Sequence, residues 1–250
     1  MITARFRRFF IPTELICDKE ARLPDAEAHH LRNVLRIRES ERVEIFDGKG
    51  GSWSGAVEFR SGEAFVCGLT QINSRSQSAS ARLTLALAMI KPARFEWALE
   101  KATELGVDEF LPIYTARGEI RVSGEKIPGR LARWDRIAKE ASKQCLRIDV
   151  PRVRPPLEFR DFLSSEEYSI QHKILFHEKS DNQWLPDLNE TAGDTIICIG
   201  PEGGWTKEEI EYAEKSGCGV FSLGRHILRA ETAAIAAISV FLIYYYYATD

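Results

Sequence analysis

The chain has 250 residues, of which 44% are hydrophobic and 28% charged, a composition typical of a folded protein with a core and unlike that of disordered or fibrous chains. Its five cysteines lie far apart without a C-x-x-C pair, which disfavours a zinc site or a disulfide framework and predicts a metal-free protein of the reducing cytoplasm. The first residues, MITARFRRFF, contain no apolar stretch with a cleavage site, so we expect no secretory signal.

Charge is distributed unevenly along the chain, although the net charge is only −3. Residues 73–160 contain 17 basic and 11 acidic side chains, whereas residues 161–250 contain 6 and 15. Because phosphate contacts depend on local charge, the basic middle of the chain permits a surface that faces nucleic acid. The same asymmetry is also compatible with an ordinary charged surface.

The first 72 residues have the pattern of a small β domain. Short runs that alternate apolar and polar side chains are separated by turns that contain glycine. The polar, serine-rich segment 73–82 that follows is typical of a linker. We expect a β-barrel over 1–72, with strands at 42–48, 52–59 and 64–69 and a short helix near 25–35.

The pattern changes after the linker, over residues 83–250. Continuous apolar runs alternate with segments whose apolar residues recur at helical spacing, which predicts an α/β domain with a parallel sheet buried on both faces. We expect strands at 83–90, 110–115, 173–178, 195–200 and 219–224, and helices at 93–106, 129–146 and 231–248.

The last predicted helix is apolar along most of its length (AAIAAISVFLIYYYYA). A membrane span is one interpretation, because about 18 apolar residues approach the length that crosses a bilayer. We favour burial between its own sheet and a partner subunit, since its alanines allow another helix to approach closely. The sequence therefore predicts a homodimer and no membrane segment.

Two glycine-containing loops are the strongest local signals. One leads from a strand end through Gly200-Pro201-Glu202-Gly203-Gly204 to a helix whose start is marked by a Thr206–Glu209 capping box. The other leads from Gly224 through an apolar loop to the last helix. Neither is a dinucleotide or Walker A motif. Each loop alone could be a plain tight turn, but together, at the carboxyl ends of parallel strands, they predict a ligand-binding crevice.

In combination, these motifs resemble the RsmE family of SPOUT methyltransferases, which methylate N3 of a specific uridine in 16S ribosomal RNA. Two positions depart from the family pattern: Leu146-Arg147-Ile148 stands where Gly-Arg-Asn is often found, and His226 occupies a place often held by arginine. The resemblance covers almost the whole chain and is clearest in HHLRNVLRIRESERVEIFDGKGG (29–51), KATELGV (101–107), RWDRIAKEASKQC (133–145), IGPEGGWTKEEI (199–210) and LGRHILRAETAA (223–234).

The resemblance implies a PUA-like β-barrel followed by an α/β methyltransferase domain with a deep trefoil knot. It also implies a homodimer formed through the knotted C-terminal region and S-adenosylmethionine bound in the knot. The cofactor contacts that it implies are Phe176, His177, Ile199, Gly200, Pro201, Glu202, Gly203, Gly204, Leu223, Gly224, Ile227, Leu228, Thr232 and Ala233.

Methylation of uracil at N3 sets the chemistry that the site must supply. N3 has a proton at neutral pH, so the reaction needs in-line placement, a proton acceptor and stabilisation of the developing anion. We assign stabilisation of the developing anion to Arg229, because its guanidinium presents its hydrogen-bond donors in a rigid plane. Glu231 is the first candidate for proton acceptor or for orienting Arg229, and Glu202 is the second. Glu231 is also compatible with a purely structural place at a helix N-terminus.

The expected partner is 16S ribosomal RNA, in the assembled 30S subunit, bound through basic side chains. Two alternatives remain open: methylation of another RNA position, either a ribose 2′-oxygen or a guanine, and a ribosome-assembly factor that binds without turnover. The residues expected to contact RNA are Arg7, Arg8, Arg32, Arg36, Lys91, Arg94 and Arg147.

Overall fold

A computed structural model describes residues 7–74, 82–180 and 193–248 of the chain. These residues form two compact units. Unit 1 combines the chain up to residue 79 with residues 142–150, and unit 2 contains the rest. Most of the predicted linker, residues 75–81, lies outside the described residues.

Unit 1 is built on a mixed sheet of six strands. Its strands are β1 (Arg8–Phe10), β2 (Ile16–Cys17), β3 (Glu20–Arg22), β4 (Arg42–Phe46), β5 (Gly51–Arg60) and β6 (Glu63–Ser74). They are ordered β1-β4-β5-β6-β3-β2. β1 runs parallel to β4, and the other pairs are antiparallel.

The alternation read from the sequence sets which side chains of unit 1 are buried. In β4, Val43 and Ile45 are buried in the core, whereas Arg42 and Glu44 alternate with them. The predicted short helix is α1 (Asp25–His29), which continues as a π-helical turn over His30–Val34 and buries Leu31 in the same core. The three strands and the helix that the sequence pattern predicted here are confirmed.

Residues 142–150 complete unit 1, a contribution that no sequence pattern indicated. The amide of Gly50 donates to the carbonyl of Ile148 at 3.1 Å, and the amide of Val150 donates to the carbonyl of Gly48 at 3.0 Å. Leu146 has a φ of 65°, a left-handed conformation that glycine adopts without strain. The backbone thus keeps the shape that a glycine favours, although leucine occupies the position.

Arg8 fastens this segment to the sheet of unit 1. Its Nη2 donates to the carbonyl of Arg147 at 3.1 Å, and its Nη1 donates to that of Ser142 at 3.5 Å. Its Nε lies 2.7 Å from Glu44 Oε1, outside hydrogen-bond geometry, so this contact is an ion pair. The guanidinium also covers the ring of Phe46 at 4.6 Å.

Unit 2 is an α/β fold, which confirms the predicted class. Its strands are β7 (Leu83–Ala88), β8 (Glu109–Tyr114), β9 (Arg152–Val153), β10 (Leu157–Glu158), β11 (His172–Phe176), β12 (Thr195–Ile199) and β13 (Cys218–Phe221). Its helices are α2 (Pro92–Glu104), α3 (Ile127–Gln144, whose end belongs to unit 1), α4 (Phe159–Ser164), α5 (Lys207–Lys215) and α6 (Ala230–Ala248).

The sheet of unit 2 is parallel throughout, in the order β10-β8-β7-β12-β11-β13, with β9 also paired to β8. Every described residue of β7 and β12 is buried, because helices cover both faces of a parallel sheet. β12 lies between β7 and β11, so a strand late in the chain sits at the centre of the sheet. The resemblance to the family implies a trefoil knot in this domain, and the knot stays a prediction.

The apolar α6 packs on the sheet and on α2. Ala234, Ala237 and Ile238 are buried in the core that these elements share, whereas Ile243 near the end of the helix is 55% exposed. Within the described part of the chain, no helix combines the length and apolarity needed to span a membrane.

We expect Arg8→Ala to lower the free energy of unfolding of unit 1 by about 2–4 kcal/mol, because the substitution leaves Glu44 and two backbone carbonyls without their partner. Chemical denaturation followed by fluorescence measures the change. Arg22→Ala serves as the control, since its ion pair with Glu63 is about half exposed, and should shift stability by less than about 0.5 kcal/mol. Equal effects for both variants would contradict a structural role for Arg8.

Candidate functional site

The candidate site of unit 2 lies where three neighbouring parallel strands end. Phe176 of β11 is in register with Ile199 of β12 and with Phe221 of β13, so the loops that follow these strands meet at one edge of the sheet. They enclose a cavity of about 200 Å³. Its lining consists of Phe176, Glu178, Ile199, Gly200, Pro201, Glu202, Gly203, Gly204, Trp205, Ser222, Leu223, Gly224, His226, Ile227, Leu228, Ala230 and Ala233.

The lining includes all the predicted cofactor contacts except His177 and Thr232. The imidazole Nδ1 of His177 lies 3.1 Å from a carboxylate oxygen of Glu178, and this glutamate lines the cavity instead. Most lining residues that the sequence analysis missed adjoin a predicted loop, so extending each loop by a residue or two would have found them. The missed residues are Glu178, Trp205, Ser222, His226 and Ala230.

Trp205 anchors the first loop. Its indole Nε1 donates to the carbonyl of Phe176 at 2.9 Å, and its ring lies 4.6 Å from that of Phe159 in α4. A β-carbon at Gly200 would stand 2.9 Å from two atoms of the indole ring. The absence of a side chain at Gly200 is therefore what lets the loop close over the tryptophan.

The same loop is held from its other side by the segment after β8. Arg117 Nη1 donates to the carbonyls of Gly203 and Trp205 at 3.1 and 3.2 Å. The buried Glu209 accepts from the amides of Ala116 and Thr206, each at 2.8 Å. Thr206 Oγ1 accepts from the amide of Glu209 in return, which confirms the predicted capping box. These contacts fix the C-terminal end of the loop to the segment after β8.

The second loop is closed by Ser222. Its hydroxyl donates to the carbonyl of Gly224 at 3.1 Å and accepts from the amide of Gly224 at 3.3 Å. Gly224 has a φ of 129°, which side chains disfavour. Beyond it Ile227 is 85% exposed although it lines the cavity, so an apolar side chain stands at the mouth of the site.

Two of the predicted catalytic carboxylates meet at one guanidinium. Arg94 Nη1 donates to Glu202 Oε1 at 3.0 Å, and its Nε lies 3.6 Å from Glu231 Oε1. The side chain of Glu231 is only 12% exposed, and its Oε2 has no hydrogen-bond partner among the described residues. Arg94, predicted as a phosphate contact, is thus engaged by carboxylates.

Arg229 stands immediately before α6 and is exposed. Its guanidinium has no hydrogen bond or ion pair to any residue that the structure describes. It lies in the chain between Leu228 and Ala230, which both line the cavity. As far as the described residues go, an unengaged cation therefore stands beside the loop that closes the site.

Most of the arginines predicted to contact RNA have partners within the protein. Arg7 donates to the carbonyl of Leu35 at 2.6 Å, and Arg8 is buried as described. Arg32 donates to the carbonyls of Gly62 and Glu63 at 2.5 and 2.6 Å.

The remaining candidates for RNA contact differ from one another. Arg147 is bound by Asp149, with Nη2 2.9 Å from Oδ2, and is 11% exposed. In contrast, Arg36 and Lys91 are exposed, and their side chains have no polar partner among the described residues. Of the predicted phosphate contacts, these two side chains are the ones that the structure leaves available.

The described residues offer the site neither a cluster of metal-binding side chains nor a reactive cysteine. No cluster of metal-binding side chains exists among the described residues. Burial raises the pKa of the Cys198 thiol well above its usual range and raises the pKa of Cys218 to about 11. Both thiols therefore stay protonated at neutral pH and are inert.

Comparisons with known proteins agree on one family. Residues 77–242 match the model of an RNA methyltransferase domain, and residues 23–69 match that of an RNA methyltransferase PUA domain. The Ribosomal RNA small subunit methyltransferase E of a Synechocystis strain is 32% identical over 93% of this chain and 76% of its own length. That of Mesomycoplasma hyopneumoniae is 38% identical over 62% of this chain and 66% of its own length.

Solved structures show the same likeness. The Ribosomal RNA small subunit methyltransferase E of Neisseria gonorrhoeae, bound to S-adenosyl methionine, matches with a TM-score of 0.84 and 30% identity. A Legionella pneumophila methyltransferase solved with bound SAM matches with a TM-score of 0.84 and 29% identity. Each match covers 96% of this chain and 98% of the other.

We expect Gly200→Ala to weaken binding of S-adenosylmethionine at least about tenfold and to destabilise unit 2 by about 1–3 kcal/mol, because the new methyl group overlaps a buried indole ring. Calorimetric titration and thermal unfolding measure the two effects. Gly129→Ala in α3 is the matched control, since nothing lies within 4 Å of its added β-carbon and alanine favours a helix. Undiminished affinity in Gly200→Ala would show that the loop does not shape the site.

Proposed function

Because this chain belongs to the family of RNA methyltransferases that includes Ribosomal RNA small subunit methyltransferase E, we propose that it methylates N3 of a uridine in 16S ribosomal RNA with S-adenosylmethionine as the donor. The observation on which this rests most is the cavity between the loops that follow β12 and β13, with the exposed Arg229 beside it, whose side chain binds none of the described residues. We further propose that the protein acts in the cytoplasm and that its substrate is the assembled 30S subunit.

The composition of the lining supports a methyl donor in preference to a phosphate-bearing ligand. Apolar side chains and glycine backbone dominate it, and among the described residues neither lysine nor arginine contributes to it. The carboxylates of Glu178 and Glu202 are instead part of the lining, and negative charge attracts a cation. S-adenosylmethionine supplies a methyl group on a positively charged sulfonium, which suits such a surface, and apolar walls suit its adenine.

The residues around the cavity can then perform the steps that uracil requires. As the bond from N3 to the methyl carbon forms and the sulfur–carbon bond breaks, the N3 proton passes to a carboxylate and the sulfur keeps the electron pair as a neutral thioether. Glu231 is the better acceptor in position, because its Oε2 is unoccupied and sheltered, whereas Glu202 is 40% exposed. Arg229 stabilises the negative charge that develops on the base.

RNA must be held so that the Watson–Crick edge of one base reaches the cavity, which requires an unpaired or flipped uridine. We propose Arg36 in unit 1 and Lys91 in unit 2 as phosphate contacts, since both are exposed and unengaged among the described residues. Arg7 and Arg32 are exposed or partly exposed but each already donates to backbone carbonyls, so their contribution to RNA binding is secondary.

We also propose a homodimer formed through α6. Ile243 on α6 is 55% exposed, and Trp97 on α2, the helix that packs against α6, is 44% exposed. Large apolar side chains exposed on adjoining helices are typical of a surface that another subunit covers.

The test of the proposed reaction is transfer of labelled methyl groups to 30S particles and to naked 16S RNA, with the product nucleoside identified by mass. We expect N3-methyluridine, and losses of about 10²–10⁴ in single-turnover rate for Arg229→Ala and Glu231→Gln. Glu211→Gln, the same chemical change on the half-exposed face of α5, should leave the rate unchanged.

Other products of this assay would select the alternatives. Methylation of a ribose or a guanine would assign another reaction to the same fold. Binding of particles and S-adenosylmethionine without transfer would indicate an assembly factor, and full turnover by Glu231→Gln would remove this residue as the acceptor.

We expect Ile243→Glu to convert the dimer to a monomer or to weaken it at least about a hundredfold, because burying an unpaired carboxylate in an apolar interface costs several kcal/mol. Light scattering behind a sizing column measures the mass of each variant. Ile170→Glu is the control, since Ile170 is 93% exposed on unit 2 outside α2 and α6. A monomeric wild-type chain would refute the dimer.

A further inference from the structure

Arg94 joins the two loops of the candidate site through their carboxylates. Glu202 belongs to the loop after β12, and Glu231 to the first turn of α6, which follows the second loop. Arg94 itself lies in the first turn of α2, directly after β7, the strand that pairs with β12. Its Nη1 donates to Glu202 Oε1 at 3.0 Å, and its Nε lies 3.6 Å from Glu231 Oε1.

We infer that Arg94 is a positioning residue of the methyl transfer, which holds Glu231 by Oε1 so that Oε2 stays available to take the N3 proton. A glutamate side chain has several rotamers, and an anchored oxygen removes most of that freedom before the substrate arrives. The side chain of Glu231 is 12% exposed, so little water competes for the free oxygen. This inference rests on the proposed function.

Through its hydrogen bond to Glu202, Arg94 also links the proton acceptor to the loop after β12, which lines the proposed site of the methyl donor. Glu202 lines the cavity, whereas Glu231 does not. A guanidinium is planar and rigid, so its two engaged nitrogens keep a fixed separation. The placement of the loop after β12 and the placement of the acceptor carboxylate are therefore coupled through one side chain.

The local charge argues against the alternative role of Arg94 as a phosphate contact. One guanidinium faces two carboxylates here, so the cluster is net negative. A phosphate would have to displace these carboxylates and would be repelled by them. The side chain of Arg94 is also only one-third exposed, whereas Lys91 three residues earlier is exposed.

The experiment compares Arg94→Ala with Arg133→Ala in single-turnover transfer to 30S particles at saturating S-adenosylmethionine. Arg133 is the matched control, because it also binds a carboxylate, that of Glu96 in α2, with Nε 2.5 Å from Oε1, but Glu96 does not line the cavity, whereas Glu202, which Arg94 binds, does. We expect the rate to fall about 10- to 100-fold in Arg94→Ala only, with particle affinity and its salt dependence unchanged. Arg94→Lys should recover part of the rate, because an ammonium retains the charge but reaches one carboxylate.

A double variant tests whether Arg94 affects the transfer rate only by positioning Glu231 or also contributes to it independently. If Arg94 acts through Glu231, adding Arg94→Ala to Glu231→Gln should slow transfer less than about twofold further. Multiplied losses would overturn the inference. So would an Arg94→Ala protein that transfers at the wild-type rate while its particle affinity drops and its salt slope decreases by about one, the signature of a lost phosphate contact.

Thermal unfolding of each variant confirms that the fold is retained, and if Arg94→Ala does not fold, the comparison is made with Arg94→Lys. A wild-type protein that transfers no methyl group would refute the proposed function itself. An active wild type with an equally active Arg94→Ala would refute only the positioning role.

Discussion

The contact between the indole of Trp205 and the bare backbone of Gly200 is the constraint on which the candidate site depends. The ring occupies the space that a side chain at Gly200 would need, while its Nε1 holds the carbonyl of Phe176 at the end of the neighbouring strand. One side chain therefore ties the ends of β11 and β12 to each other and to Phe159 of α4. Arg117 and Glu209 secure the remainder of the loop, so contacts within the protein hold the wall of the cavity in place.

Three arginines stabilise the fold through contacts within the protein. Arg8 closes unit 1, Arg117 holds backbone carbonyls, and Arg94 bridges two carboxylates. A guanidinium has five donors in a fixed plane, so it satisfies several buried or half-buried acceptors at once. For this reason the excess of basic residues in the middle of the chain does not map directly onto a nucleic-acid surface.

The electrostatics of the site follow from the same arrangement. Carboxylates of Glu178 and Glu202 line the cavity, the Glu231 carboxylate is sheltered, and the Arg229 cation is unengaged among the described residues. Negative charge where a sulfonium would bind, and separate positive charge where a base anion would develop, are what methylation of an acidic ring nitrogen needs. This division of charge, more than the glycine loops alone, distinguishes the site from a nucleotide-phosphate pocket.

The sequence by itself determined the α/β class, most long strands and helices, the Thr206 cap and the lining loops, because periodicity, capping and glycine placement are local properties of the chain. It missed β1, β2, β3, β9, β10 and the six-residue α4, which are too short to show a period. Only the tertiary structure decided that residues 142–150 complete unit 1, that Glu178 replaces His177 in the cavity, and that Arg94 faces carboxylates. Each of these depends on which groups come into contact across long separations in the chain. Periodicity can be read from neighbouring residues in the sequence, but the contact partner of a side chain cannot.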